Sequence, residues 1–176
     1  MKILGISGGM HSCGLAYLKD GKPEFAFEEE RFNRVRTYKD FYKDLFRFPY
    51  ECGQNVWYNK DFDWNELDYI TSHYSAKVTE EIWDGIGLGP FPKEKFIKTN
   101  HHRAHCSLAY YCSGFEEDTL VVSIDAMGEK YSARYFIGSN GNLTDIGKIS
   151  DEFKSLGHYY AMLTEFLGFR RLKDEG

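Results

Sequence analysis

The chain has 176 residues, a net charge of −5 with its histidines neutral, and 17% aromatic side chains. The aromatic content favours a folded domain over a disordered chain. The acidic balance argues against a generic nucleic-acid binder, which would carry a basic face, and no apolar run approaches the roughly 20 residues needed to span a bilayer. Four cysteines occur, Cys13, Cys52, Cys106 and Cys112, with no Cys-x-x-Cys pair. The first eight residues lack the apolar core and cleavage site of a signal peptide. The expectation is a cytoplasmic protein with free thiols.

Residues 2–7 (KILGIS) are short and apolar, and Gly8-Gly9 ends them, so they read as a buried strand running into a tight turn. A second strand is expected over 13–18, and Asp20-Gly21 is a hairpin signal. Residues 23–30, with Phe25, Ala26 and Phe27, form a third, so the chain opens with three antiparallel strands. Charged and aromatic residues then alternate without period through Lys43, as in a loop. A short helix is expected over 49–58, a helix end or turn and then a strand over 65–73, a loop over 85–92, and a short strand over 95–99. Asn100 is a good N-cap for a helix from His101 to about Cys112. Residues 119–125 (TLVVSID) suit a central strand buried on both faces. Residues 131–137 and 145–149 flank Ser139-Asn140-Gly141-Asn142, a second hairpin, and 156–167 reads as a helix stopped by Gly168. Strands followed by helix–strand alternation give an α/β class, taken as one lobe over 1–176. The polar tail 170–176 suits either a C-terminus or a point inside a longer protein.

Three segments carry chemistry. In Asn100-His101-His102-Arg103-Ala104-His105 the outer histidines are four apart. On a helix they lie about 40° apart on one face, close enough for both imidazoles to reach one ion. Leu108 and Cys112 continue that face, which is therefore expected to point inward. Iron, zinc, manganese and cobalt all suit imidazole. The residue after His101 is not Glu, so this is not the metalloprotease motif; a structural or surface histidine cluster is the alternative. In Ser123–Gly128 (SIDAMG), Asp125 ends a strand where α/β sheets open onto ligand crevices, with Gly128 on the cofactor side. It either serves an ion or its water, or caps a turn. The Gly8-Gly9 turn offers backbone N–H groups to a phosphate or carbonyl, and His11 is a candidate proton carrier, unless both are only turn residues. Arg31, Arg34, Arg36 and Lys39 form a local basic cluster, read either as a phosphate-binding patch or as a solvated surface.

In order along the chain, MKILGISGG, EEERFNRVR, FPYECGQNV, DWNELDYI, NHHRAHCSLAYYCSGFEED, TLVVSIDAMGE and SLGHYYAMLTEFLGF together resemble the carbamoyltransferase family that modifies nodulation factors and aminoglycosides. The resemblance covers essentially the whole chain, and the HHxAH segment with the strand after it is its most specific part. It implies a ribonuclease-H-like lobe of the actin-like ATPase type, with a mixed sheet that opens with three antiparallel strands and is flanked by helices. It also implies that ATP and carbamoyl phosphate give carbamoyl-adenylate, whose carbamoyl group passes to a hydroxyl acceptor, a small molecule or a modified nucleotide. His101, His105 and Asp125 match the family's site for iron or a similar divalent ion. Asp125 and His11 would be catalytic, and Gly8, Gly9, Arg31, Arg34, Arg36 and Gly128 would face donor and acceptor.

Two departures stand out. The family has Gly-His-Asp-Ser or similar after the first strand, where this chain reads Gly9-Met10-His11-Ser12. The family also continues into a second lobe and an adenylate-forming domain, which would be this chain's partners; no membrane partner is implied, and a homodimer is compatible. The rival readings are an actin-like nucleotide-binding lobe without transfer activity and an interaction domain whose histidines are structural. A tRNA-modifying relative is disfavoured by the acidic charge and by the ending over 155–169.

Overall fold

The computed structural model describes residues 1–8, 13–34, 50–57, 62–150, 154–171 and 174. Where the sequence suggests one lobe, the chain divides into two compact units, Met1–Thr99 and Asn100–Gly176.

The first unit begins with β1 (Lys2–Ser7), β2 (Gly14–Lys19) and β3 (Lys22–Glu28), paired antiparallel in sequence order. Alternation decides which side chains go inward: Leu4 and Ile6 on β1, Leu15 and Tyr17 on β2, all buried. The hairpin signal is fulfilled, because Asp20 and Gly21 both take positive φ, 51° and 79°. That backbone matches the twist of the strands it joins. β4 (Tyr69–Ser72) then pairs parallel with β1, and β5 (Phe96–Lys98) parallel with β4, giving the order β3-β2-β1-β4-β5. This is the expected mixed, ribonuclease-H-like sheet, opened by an antiparallel meander and extended by parallel strands.

β3 stops two residues earlier than expected. Glu29 instead begins α1 (Glu29–Asn33), because its carboxylate turns inward and accepts the N–H groups of Glu51 and Cys52, each at 3.0 Å. Those groups open α2 (Tyr50–Trp57), the short helix expected there, and a helix's first N–H groups need such a partner. The sequence reading passed over α3 (Ala76–Ile86). Ser75 caps it by accepting from Val78 N, and Gly87 ends it at φ 81°. Its buried residues, Thr79, Ile82, Trp83 and Ile86, follow helical spacing. Val56, Ile82, Trp83 and Ile86 meet the sheet residues in one core. Trp83 packs edge-on against Trp64 at 5.5 Å, and its ring N–H donates to the Gly89 carbonyl.

The second unit contains α4 (His101–Tyr111), β6 (Thr119–Gly128), β7 (Tyr131–Ser139), β8 (Asn142–Ile149) and α5 (Leu156–Phe166). The strands form one antiparallel sheet in the order β6-β7-β8. β6 is therefore an edge strand of the described sheet, not the central one expected. Val121 and Ser123 are buried, but Leu120, Val122 and Ile124 are 59%, 39% and 55% exposed. The β-branched run marked a strand correctly; it could not tell that only one face would be covered. On that covered face Cys106 and Tyr110 of α4 pack on Val121, Phe136 and Leu143. Ser155 caps α5 through His158 N, and its hydroxyl donates to the Ala126 carbonyl, tying α5 to the end of β6. No disulfide joins the cysteines among the described residues, and no described helix is long and apolar enough to cross a membrane.

Candidate metal centre

Asn100 starts the helix that carries the site. Its Oδ1 accepts from Arg103 N at 3.1 Å, and its amide donates to Glu129 Oε2 at 2.6 Å, in the turn that follows β6. The helix points its 102–106–110 stripe at the sheet: His102, Cys106 and Tyr110 are buried. Leu108 is 68% exposed and Cys112 is exposed, so the expectation that these two continue an inward face is corrected. The buried stripe lies one residue further on. His101 and His105 consequently stand at the edge of the helix–sheet seam, His101 half-buried and His105 open to solvent, rather than in the core.

There they meet the end of β6. His101 Nε2 donates to Asp125 Oδ2 at 2.7 Å, and the Nε2 atoms of His101 and His105 face each other at 3.2 Å. One ligand atom from each of the three residues lies within 4.8 Å of the others. Two imidazole nitrogens and a carboxylate oxygen converging on one point are the donor set that zinc, iron or manganese accepts, with positions left for water or substrate. The electrostatics favour a cation. The hydrogen bond from His101, helped by the Ala126 N–H at 2.6 Å, holds the Asp125 carboxyl down at about 2. Partial burial of its ring, then the neighbouring His101, pushes the His105 imidazole below its usual range, which favours the unprotonated form a metal ligand needs.

The remaining expected residues fall elsewhere. Gly128 is buried against the imidazoles of His101 and His102. Gly8 is buried, and its carbonyl accepts the Tyr74 hydroxyl. Arg31 is 72% exposed beside Glu28 and Glu30, and Arg34 caps α1 in the left-handed region at φ 61°. These three lie in the first unit, apart in sequence from the trio. Gly9, His11, Arg36 and Lys39 lie outside the described residues. Sequence reasoning did not single out His102, which is fully buried between α4 and the sheet. Nor did it find the cavity of about 400 Å³ between the end of β6 and α5, lined by Ile124, Asp125, Ala126, His158, Tyr160 and Arg171. Asp125 is shared between this cavity and the trio, and no local motif announces the cavity.

A mixed α/β fold with two imidazoles and a carboxylate at a strand end defines an α/β protein with a candidate metal centre. Residues 89–176 match the family described as Carbamoyltransferase N-terminus, half of the chain, and the chain belongs to that family. It is similar to the uncharacterized protein MJ1051 of Methanocaldococcus jannaschii, 32% identical over 99% of this chain and 31% of the relative. It is also similar to the nodulation protein NolNO of Sinorhizobium fredii, 25% identical over 96% of this chain and 29% of that protein. The chain thus spans about a third of the length of the curated relatives it matches. Among solved structures it is similar to the Ppx/GppA enzyme of Aquifex aeolicus, at 18% identity and a TM-score of 0.44, covering 94% of this chain and 55% of that one.

Proposed function

We propose that this chain supplies the metal-holding part of an ATP-dependent O-carbamoyltransferase. In this reading carbamoyl phosphate and ATP give carbamoyl-adenylate, whose carbamoyl group passes to a hydroxyl acceptor. The observation that carries the reading is the convergence of His101, His105 and Asp125 in a chain of the carbamoyltransferase family. A divalent ion held there, iron first with zinc or manganese as alternatives, would polarise the carbamoyl carbonyl or hold the adenylate phosphate. Asp125 keeps its carboxylate ionised and oriented through Ala126 N–H and His101. His11 is the proposed acceptor of the hydroxyl proton, and the Gly8-Gly9 turn lines the carbamoyl side. Arg31, Arg34 and Arg36 are proposed phosphate contacts, because a guanidinium fork suits phosphate. The exposed ion pairs of Arg31 with Glu28 and Glu30 are weak enough to be exchanged for one.

The partner in this reading is the remainder of the longer protein. Two features support it. β6 pairs on its second edge with no described strand, and α5 exposes Tyr159, Tyr160, Met162, Leu163 and Phe166, each at 40% or more. An open strand edge beside an apolar helix face is seldom left uncovered in a finished protein.

The test is a titration of the anaerobically purified chain with Fe²⁺, beside a His101→Ala/His105→Ala variant. The expected result is close to one ion per parent chain and none in the variant, followed by carbamoyl transfer in the longer gene product. Failure of both the chain and the longer protein to take up an ion would overturn the proposal.

A further inference from the structure

α4 brings a third imidazole to the same seam, and its two nitrogens are already used. The His102 ring is fully buried. Its Nε2 lies 2.8 Å from the Tyr131 carbonyl oxygen, which only accepts, so that nitrogen carries the proton and donates it. Its Nδ1 lies 2.8 Å from Ser123 Oγ and accepts the hydroxyl proton. With both nitrogens spent, His102 has no lone pair for an ion. It ties the first turn of α4 to β6 and β7 at once.

The tie stands one step from the site. His102 follows His101 on the helix, and Ser123 precedes Asp125 by two residues on the same face of β6. The His102–Ser123 and His101–Asp125 contacts therefore bridge the same pair of elements side by side, and a slip of α4 along β6 would break both. Gly128 completes the seat. A Cβ there would come within 2.3 Å of His101 Cδ2 and 2.8 Å of His102 Nε2, distances no packed carbon tolerates, so only glycine leaves room for both rings.

We propose that His102 is a positioning residue, keyed by Ser123 and the Tyr131 carbonyl and seated on Gly128, that holds His101 against Asp125 and so sets the affinity of the neighbouring site for its ion. The affinity half of this statement rests on the metal reading above; the placement of His101 does not. Partners behind a ligand commonly change metal affinity by about 10- to 100-fold when removed.

The experiment uses the whole 176-residue chain with Ser123→Ala, Gly128→Ala, His102→Ala and His102→Gln. Leu143→Ala, in the core of the same unit, serves as a control for lost stability alone. Two quantities are read: the side-chain ¹⁵N resonances of His101 in metal-free protein, and the Zn²⁺ affinity by competition with a chelating dye. Ser123→Ala and Gly128→Ala should displace the His101 resonances and weaken Zn²⁺ binding by about tenfold or more. His102→Gln, which keeps an N–H for Tyr131, should recover part of what His102→Ala loses. Leu143→Ala should lower the Tm and leave both readings in place. Unmoved His101 resonances in Ser123→Ala would refute the proposal, and that variant carries the test if Gly128→Ala does not fold. Should the parent bind no Zn²⁺, the metal reading fails by itself, and the His101 resonances still decide the placement.

Discussion

The two units share one motif and extend it differently. Each contains a three-stranded antiparallel meander whose second and third strands are joined by a two-residue turn at positive φ, Asp20-Gly21 in one and Asn140-Gly141 in the other. In the first unit β4 and β5 extend the sheet from β1, and α2 and α3 contribute Val56, Ile82, Trp83 and Ile86 to a continuous core. In the second, the described sheet stops at β6. Its core is Cys106, Tyr110, Val121, Phe136 and Leu143, and the opposite face of β6 lies open. One sheet pattern thus supports two roles. The inward strand positions of the first unit are largely apolar, Leu4, Ile6, Leu15, Tyr17 and Ile70, with Ser72 a polar exception. The second places a buried imidazole and a hydroxyl, His102 and Ser123, among its inward positions, next to the candidate metal centre.

The sharpest way to break this contrast is Trp83→Ala. Removing the ring from its contacts with Trp64 and Phe91 should cost about 3–5 kcal/mol. Residue-resolved hydrogen exchange should place the loss within residues 1–99; an equal loss in both units would show that the two cores act as one. Glu29→Ala comes next. It strands two N–H groups at the start of α2 and should cost about 1–3 kcal/mol in urea unfolding. A change near zero would mean that water replaces the carboxylate. Gly21→Ala and Gly141→Ala probe what the units share. A Cβ at φ 79° or 73° should cost about 1 kcal/mol in either, and clearly unequal losses would show that the two turns are not equivalent. The smallest effect is expected from Leu120→Ser and Ile124→Ser, which should change stability by less than about 0.5 kcal/mol. A larger loss would mean that this face of β6 is covered in solution.

Much of the site was legible because it is local. The four-residue spacing of His101 and His105 needs only a helix, and Asn100 announces one. Asp125 was legible as the polar end of an apolar strand. What was not legible was the phase of the helix. The sequence pointed the 101–105–108–112 stripe inward, and only the sheet beneath α4 shows that 102–106–110, one residue further on, is the buried one. α3 is a different case. Its spacing of Thr79, Ile82, Trp83 and Ile86 and its Ser75 and Gly87 caps were in the sequence, with Glu80, Glu81 and Asp84 supplying the polar side of an amphipathic helix, so this element was legible and was missed. Glu29 read as the end of a charged strand because its partners lie more than twenty residues further along the chain.

The sequence by itself determined the strands, the two hairpins, the helix that opens at Asn100 and the residue types of the candidate metal centre. Each depends on neighbours within one or two turns of backbone, where φ preference and periodicity act. Tertiary structure decided which imidazole faces the sheet and which faces the seam, that β6 is an edge strand, and that Glu29 serves α2. Those outcomes depend on which distant backbone groups lack partners and which apolar faces find cover, and neither is written in local spacing.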